Sequence, residues 1–250
     1  MGVERSFAGP LRVSDLLAME MAEGDVPTTE ELIDVALGWT GAGPAAITRP
    51  ELFSFFEKSL APALERAGRG QRFIEAVKWV LEKLPERLYR PVTDIALPSN
   101  FKTKFLSYFN VSPALAEAYL KWLRLPTRRA VSFRSPVGNQ PYLIALNPDR
   151  MRSMTPVHEM MHYYAAPEIF PASVRKALEE IYYKNLDLGR VFELEGITGV
   201  NLSTPYEIVA ELGANYLVGP KSVWLGAIKE LPTPYQSWLR SILTRLGENI

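Results

Sequence analysis

The chain has 250 residues, 47% of them hydrophobic and 22% charged, enough for a full apolar core in one domain or two. Its 28 basic residues match its 28 acidic ones, so no global field draws it to nucleic acid or to an anionic membrane. The absence of cysteine excludes a disulfide framework and thiolate metal sites, and no run of about eighteen apolar residues offers a membrane span.

Met1 to Arg12 carries neither a positive-then-apolar leader nor a lipidation motif, which sets the expectation of a cytoplasmic protein. Apolar residues at i, i+3 and i+4 spacing predict helices over Val13 to Ala22, Thr29 to Trp39, Pro50 to Arg66, Gln71 to Leu84, Ser99 to Phe109 and Pro113 to Leu125. Gly41-Ala42-Gly43-Pro44 and Gly68-Arg69-Gly70 punctuate them. Phe53, Phe55, Phe56, Phe73 and Trp79 read as the core of this helical region. The stretch from Lys102 to Arg134 is locally basic. It reads as a solvated helix face, so a nucleic-acid partner is not expected. Zero cysteine, few glutamines and 20 prolines also suit a thermophile's composition.

The period then changes. Ala130 to Arg134 and Tyr142 to Leu146 predict two strands joined through Pro136 to Pro141. Next comes His158-Glu159-Met160-Met161-His162, which holds both histidines of the chain. Residues four apart share a helix face, so both imidazoles can reach one metal ion, and Glu159 can take a proton from water at the metal's open position. A surface helix can carry His and Glu without binding anything. Here Thr155 as cap, Pro156 at the first helical position and a stripe of Val157, Met161 and Tyr164 favour a packed helix that ends near Pro167.

Catalytic zinc commonly has three protein ligands, and with no third His and no Cys the remaining one must be a carboxylate or be absent. Further helices are expected at Ser173 to Lys184, Thr204 to Val218, Ser222 to Leu231 and Pro234 to Leu246. Within the second of these, Glu207 and Glu211 are four apart. One can bind the metal while the other accepts a hydrogen bond from a ligand histidine. Thr204-Pro205-Tyr206-Glu207 also fits a capping box, which would leave Glu211 as the ligand. The other acids after the motif include Glu179, Glu180, Glu193 and Glu195; the first two are expected to face solvent.

Together the two segments resemble the gluzincin metallopeptidases, which pair an H-E-x-x-H helix with a downstream glutamate helix. Glu207-Ile208-Val209-Ala210-Glu211 is similar to the E-x-x-A-[D/E] pattern of the CAAX-prenyl-protease type and the anthrax lethal factor type. The interval of 45 residues from His162 to Glu207 is similar to the latter. It is too long for the thermolysin-like pattern, where this chain has Ile181 and Tyr182. The resemblance implies a zinc cofactor, a peptide or protein substrate, Glu207 as third ligand and Glu211 as hydrogen-bond partner of a ligand histidine. The lethal-factor type places an oxyanion-stabilising tyrosine seven residues before its ligand glutamate, where this chain has Val200. That role is therefore open among Tyr206, Tyr216, Tyr142, Tyr163 and Tyr164, with Tyr206 preferred.

The expected architecture is mainly α (α+β): a helical N-terminal region over residues 1–125 and a zincin-like catalytic domain with a small β-sheet over residues 126–250. The expected function is zinc-dependent peptide-bond hydrolysis with Glu159 as general base. The alternative is a zinc-binding regulatory or interaction protein whose peptidase activity is latent or lost.

Overall fold

A computed structural model describes residues 46–134, 141–165, 176, 205–231 and 233–248. The helices expected at 13–22, 29–39 and 173–184 lie outside these residues, apart from Lys176.

The first described helix starts where a capping box starts it. The Thr48 hydroxyl accepts from the Glu51 N–H, and the Glu51 carboxylate accepts from the Thr48 N–H at 2.7 Å. It runs as α1 (Arg49–Phe55), a π-helical turn (Phe56–Leu60) and α2 (Ala61–Arg66). Pro62 lacks the N–H that would bond Lys58, and the ladder loosens just before it, with the Ala61 N–H donating to Phe56 O five residues back. Gly68 turns the chain at φ 73° into α3 (Gln71–Lys83), which buries Ile74, Val77, Val80 and Leu81. Trp79 falls on the opposite side of that stripe, stands half exposed and carries the Lys83 ammonium over its ring. It is thus not the core residue its neighbours suggest. Phe56 alone of the expected aromatic set is fully buried.

A single turn, α4 (Glu86–Tyr89), leads to β1 (Asp94–Ala96), a strand too short to carry a sequence period. Then come α5 (Phe101–Tyr108), α6 (Pro113–Leu123), β2 (Ala130–Arg134), β3 (Tyr142–Leu146), α7 (Thr155–Ala165), α8 (Pro205–Val218), α9 (Lys221–Glu230) and α10 (Thr233–Arg245). The described residues are mainly helical with one small sheet, as expected of the fold class.

The sheet order is β1-β3-β2, with β1 parallel and β2 antiparallel to β3. Central β3 is buried at every position, which is why Tyr142 to Leu146 is apolar throughout. The strand alternation divides the core. Val131, Phe133, Leu143 and Ala145 pack with Phe101, Phe105 and Tyr119 of α5 and α6. Ala130, Tyr142, Ile144 and Leu146 face the second core with Val157 and Met161 of α7. That core also takes in Leu52, Leu64, Val77 and Leu88, and β1 joins the same sheet, so packing crosses the expected boundary near residue 125.

Two polar anchors hold the sheet. Asp94 Oδ1 accepts from Lys104 Nζ at 2.6 Å, and its Oδ2 accepts from the Tyr108 hydroxyl at 3.0 Å, tying β1 to α5. Asn147 Nδ2 donates to Leu123 O at 2.9 Å and to Arg128 O at 3.0 Å, fixing the corner between α6 and β2 against the end of β3.

Helices α7 and α8 pack closely because position 213 is glycine. A Cβ there would stand 2.3 Å from Met161 Cε and 3.3 Å from Leu239 Cδ1. Gly213→Val is expected to overpack this contact and lower stability by about 1–3 kcal/mol. Chemical denaturation checks it; an unchanged midpoint would show that α7 and α8 do not need this close approach.

Candidate metal centre

Helix α7 positions three polar side chains against the core. Its first turn is fixed by Thr155, whose hydroxyl accepts from the Arg152 N–H at 2.8 Å, so the helix opens at Thr155 itself, one residue earlier than a Thr155 cap implies. Val157, Met160 and Met161 are fully buried, while Tyr164 sits at the edge and donates its hydroxyl to Arg87 O. Tyr142 of β3 donates its hydroxyl to Glu159 O, locking sheet to helix beside the motif.

His158, Glu159 and His162 each offer a ligand atom, all within 4.8 Å of one another, and this group can hold a metal ion. Glu207 and Glu211 of α8 face the same point. Glu207 Oε2 lies 3.1 Å from His158 Nε2, and its Oε1 lies 3.5 Å from His162 Nε2. The two Nε2 atoms are 3.0 Å apart. His158 Nδ1 meets Glu211 Oε2 at 2.8 Å, so Nδ1 donates to that carboxylate and Nε2 is the nitrogen turned toward Glu207 and His162.

Two imidazole nitrogens and a carboxylate thus converge on one small volume. Such an arrangement repels itself unless a cation sits within it, as protons or as a metal. Tetrahedral ligands at about 2.0–2.1 Å from zinc stand roughly 3.3 Å from one another. The observed separations of 3.0, 3.1 and 3.5 Å fit that spacing.

All five residues are at most 5% exposed, and burial bears on the acidity of His158, Glu159 and Glu207. Burial disfavours charge on His158, but hydrogen bonds and charges from Glu207 and Glu211 outweigh it and hold its pKa well above 6.5. Burial also pushes against ionised Glu207, yet the charges and hydrogen bonds of both histidines bring its carboxyl down to about 2. Glu159 goes the other way. Burial raises it to about 7, with Glu207 adding to the rise and the histidines and the Ser132 hydroxyl opposing it.

Sequence reasoning missed three residues here. Asn215, one turn beyond Glu211, donates Nδ2 to Glu211 Oε1 at 2.9 Å; its i, i+4 spacing was the available signal. Ser132 is buried on the α7 face of β2 beside Glu159, and Arg128 is buried with its charge felt by Glu207 and Glu159.

The ring of Tyr206 stands edge-on to Trp238 of α10 with centroids 5.8 Å apart. Tyr216 is buried beneath the Lys221 ammonium. Thr204, on which the capping-box alternative depends, and Glu179, Glu180, Glu193 and Glu195 lie outside the described residues. No helix of the described residues is long and apolar enough to cross a membrane. Comparison with protein-family models, curated proteins and solved structures finds no match.

The shifts fix a pH dependence for the metal-free protein. Lowered Glu207 contributes stability above its unfolded pKa of 4.5, lost as pH falls toward about 2. Raised His158 contributes stability below its unfolded pKa of 6.5, lost as pH rises through its folded value. Raised Glu159 costs stability as pH climbs from 4.5 through about 7. Stability with chelator present should therefore be greatest near pH 4.5 and fall as pH rises through about 7. A melting temperature that climbs steadily from about pH 5 to about pH 8 would show that His158 and Glu207 are not a charged pair.

Proposed function

We propose that the chain is a zinc-dependent peptidase of gluzincin type, with His158, His162 and Glu207 as ligands, Glu159 as general base and Glu211 as partner of His158. The observation that carries this reading is the convergence of His158 Nε2, His162 Nε2 and Glu207 from two helices, with a second carboxylate on His158 Nδ1 and a third beside the cluster. A purely structural site needs no spare carboxylate such as Glu159.

A bound zinc would supply Lewis acidity and lower the pKa of its water to about 7. The protein's own groups do the rest. Glu211, steadied by Asn215, fixes the His158 tautomer so that Nε2 faces inward. Glu159 takes a proton from the attacking water as the water oxygen bonds to the scissile carbonyl carbon. The displaced carbonyl electron pair gathers on oxygen. Glu159 then gives that proton to the amine as the C–N bond breaks. An extended peptide would lie along the outer edge of β2, the antiparallel strand packed against α7, and add its backbone hydrogen bonds there.

The depth of the site supports a second reading. Glu159 is 1% exposed, so the chain could hold metal while hydrolysis stays latent until a partner opens the site. Metal uptake without cleavage of any peptide would favour it.

Glu159→Gln should keep one zinc per chain and lose peptide hydrolysis by roughly a hundredfold to ten-thousandfold. Unchanged turnover in that variant, on a substrate the parent cleaves, would sink the mechanism.

Ligand assignment has its own test. Glu207→Ala should lower zinc affinity by more than the roughly tenfold to hundredfold expected of Glu211→Ala. Competition against a chelating dye, run where both variants are folded, reads the difference. If Glu211→Ala strips the metal and Glu207→Ala barely weakens it, the two roles are exchanged.

A further inference from the structure

Helix α8 carries Glu207, Glu211 and Asn215 four residues apart, on one face. The two glutamates meet the imidazoles of α7. The third residue lies beyond the E-x-x-A-E pattern, which assigns it nothing.

Asparagine is a poor residue for a helix interior, because its amide competes for nearby backbone groups. Asn215 does bond the backbone. Its Nδ2 donates to Glu211 O at 2.9 Å, an ordinary bond to the carbonyl one turn back. The same nitrogen gives its second hydrogen to Glu211 Oε1 at 2.9 Å, and no helix requires that bond. Two oxygens around one nitrogen also fix the amide's orientation, since a flipped group would set oxygen against oxygen. The amide is pinned to the α8 backbone and pins the carboxylate in turn.

Both oxygens of Glu211 are thereby committed. Asn215 holds Oε1, and His158 Nδ1 holds Oε2 at 2.8 Å. The two nitrogens of an imidazole point away from each other, so a carboxylate on Nδ1 stands behind His158. It is Glu207 Oε2 that lies 3.1 Å from Nε2. Either glutamate has the length and charge of a metal ligand, and one turn of helix is all that separates them. What distinguishes them on α8 is the residue four places on. For Glu211 it is an amide that donates, whereas for Glu207 it is Glu211, whose carboxylate only accepts.

We propose that Asn215 is a positioning residue that divides the work of the two glutamates, holding Glu211 behind His158 and out of the metal's coordination so that Glu207 alone ligates from α8. This rests on the proposed metal centre, and its test needs no turnover.

Zinc affinity of the full-length protein is measured by competition against a chelating dye. Asn215→Ala and Asn215→Leu both remove the donor and both improve helix propensity, so weaker binding in them cannot come from a weakened helix. Each should bind zinc about tenfold more weakly, the scale of loss usual when a hydrogen-bond partner behind a ligand is removed. In a Glu211→Ala background the same changes should alter affinity by no more than about twofold, because Asn215 acts only through Glu211. Proton NMR of the zinc-loaded protein gives a second readout, with only two histidines to assign. The ring N–H of His158 should exchange with water faster in Asn215→Ala than in the parent. His162, whose Nδ1 has no hydrogen-bond partner among the described residues, should keep its rate.

Zinc affinity equal in the parent and in a folded Asn215 variant overturns the proposal and leaves the metal centre standing. So does an undiminished loss in the Glu211→Ala background, or an equal change at both histidines, either of which would make Asn215 a support of the helix only. Asn215-dependent zinc binding in a protein that cleaves no peptide would overturn the peptidase reading and leave the proposal standing. A parent that takes up no zinc overturns both.

Discussion

Three carboxylates buried within reach of two imidazoles are the constraint on which the rest of this structure depends. Moving isolated charges out of water is costly, so Glu159, Glu207 and Glu211 persist in the core only because compensating groups meet each of them. His158 serves two at once, Glu211 through Nδ1 and Glu207 through Nε2. His162 serves Glu207, and Asn215 completes Glu211. Glu159 has the poorest compensation, and its acidity shows it: its carboxyl is raised where that of Glu207 is lowered.

Such a cluster needs its two helices held at close range, and the apolar packing does this. Gly213 removes the side chain that would hold α8 away from Met161. Leu239 and Trp238 of α10 press on α8 from outside. On the other flank, β3 carries Tyr142, whose hydroxyl binds the carbonyl of Glu159 itself, so the helix turn that bears the base is fixed from the sheet. Donors mounted on packed helices keep their geometry better than donors on loops, which suits a site that must present three atoms about one ion.

How much of this could be read beforehand follows from how local each cause is. The H-E-x-x-H face, the glutamate helix and both strands of the β2–β3 pair were legible, because periods of 3.6 and 2 act within a few residues. Strand β1 was not, since Asp94-Ile95-Ala96 is too short to show alternation and forms only because β3 offers it a parallel partner. Trp79 misled because composition marks an aromatic as core, whereas the helix angle sets it opposite Ile74 and Val77. Gly213 reads locally as a flaw in a helix, and its reason lies in Met161 on another element. Arg128 reads as one more charge in a basic run. Only the ring of Trp122 beneath it and the carboxylates of α7 and α8 near it distinguish it from Lys121 and Arg124, which stay exposed.

The same electrostatics couple binding to reactivity. With protons alone as counter-charge, Glu159 holds its own proton up to about pH 7, because burial and Glu207 both penalise its ionised form. A divalent charge beside it would favour the carboxylate, the form a general base needs. His158 responds in the opposite sense, since it must give up the Nε2 proton that Glu207 now stabilises. On the proposed reading, one event, exchange of protons for a metal, would turn His158 into a ligand and ready Glu159 as a base.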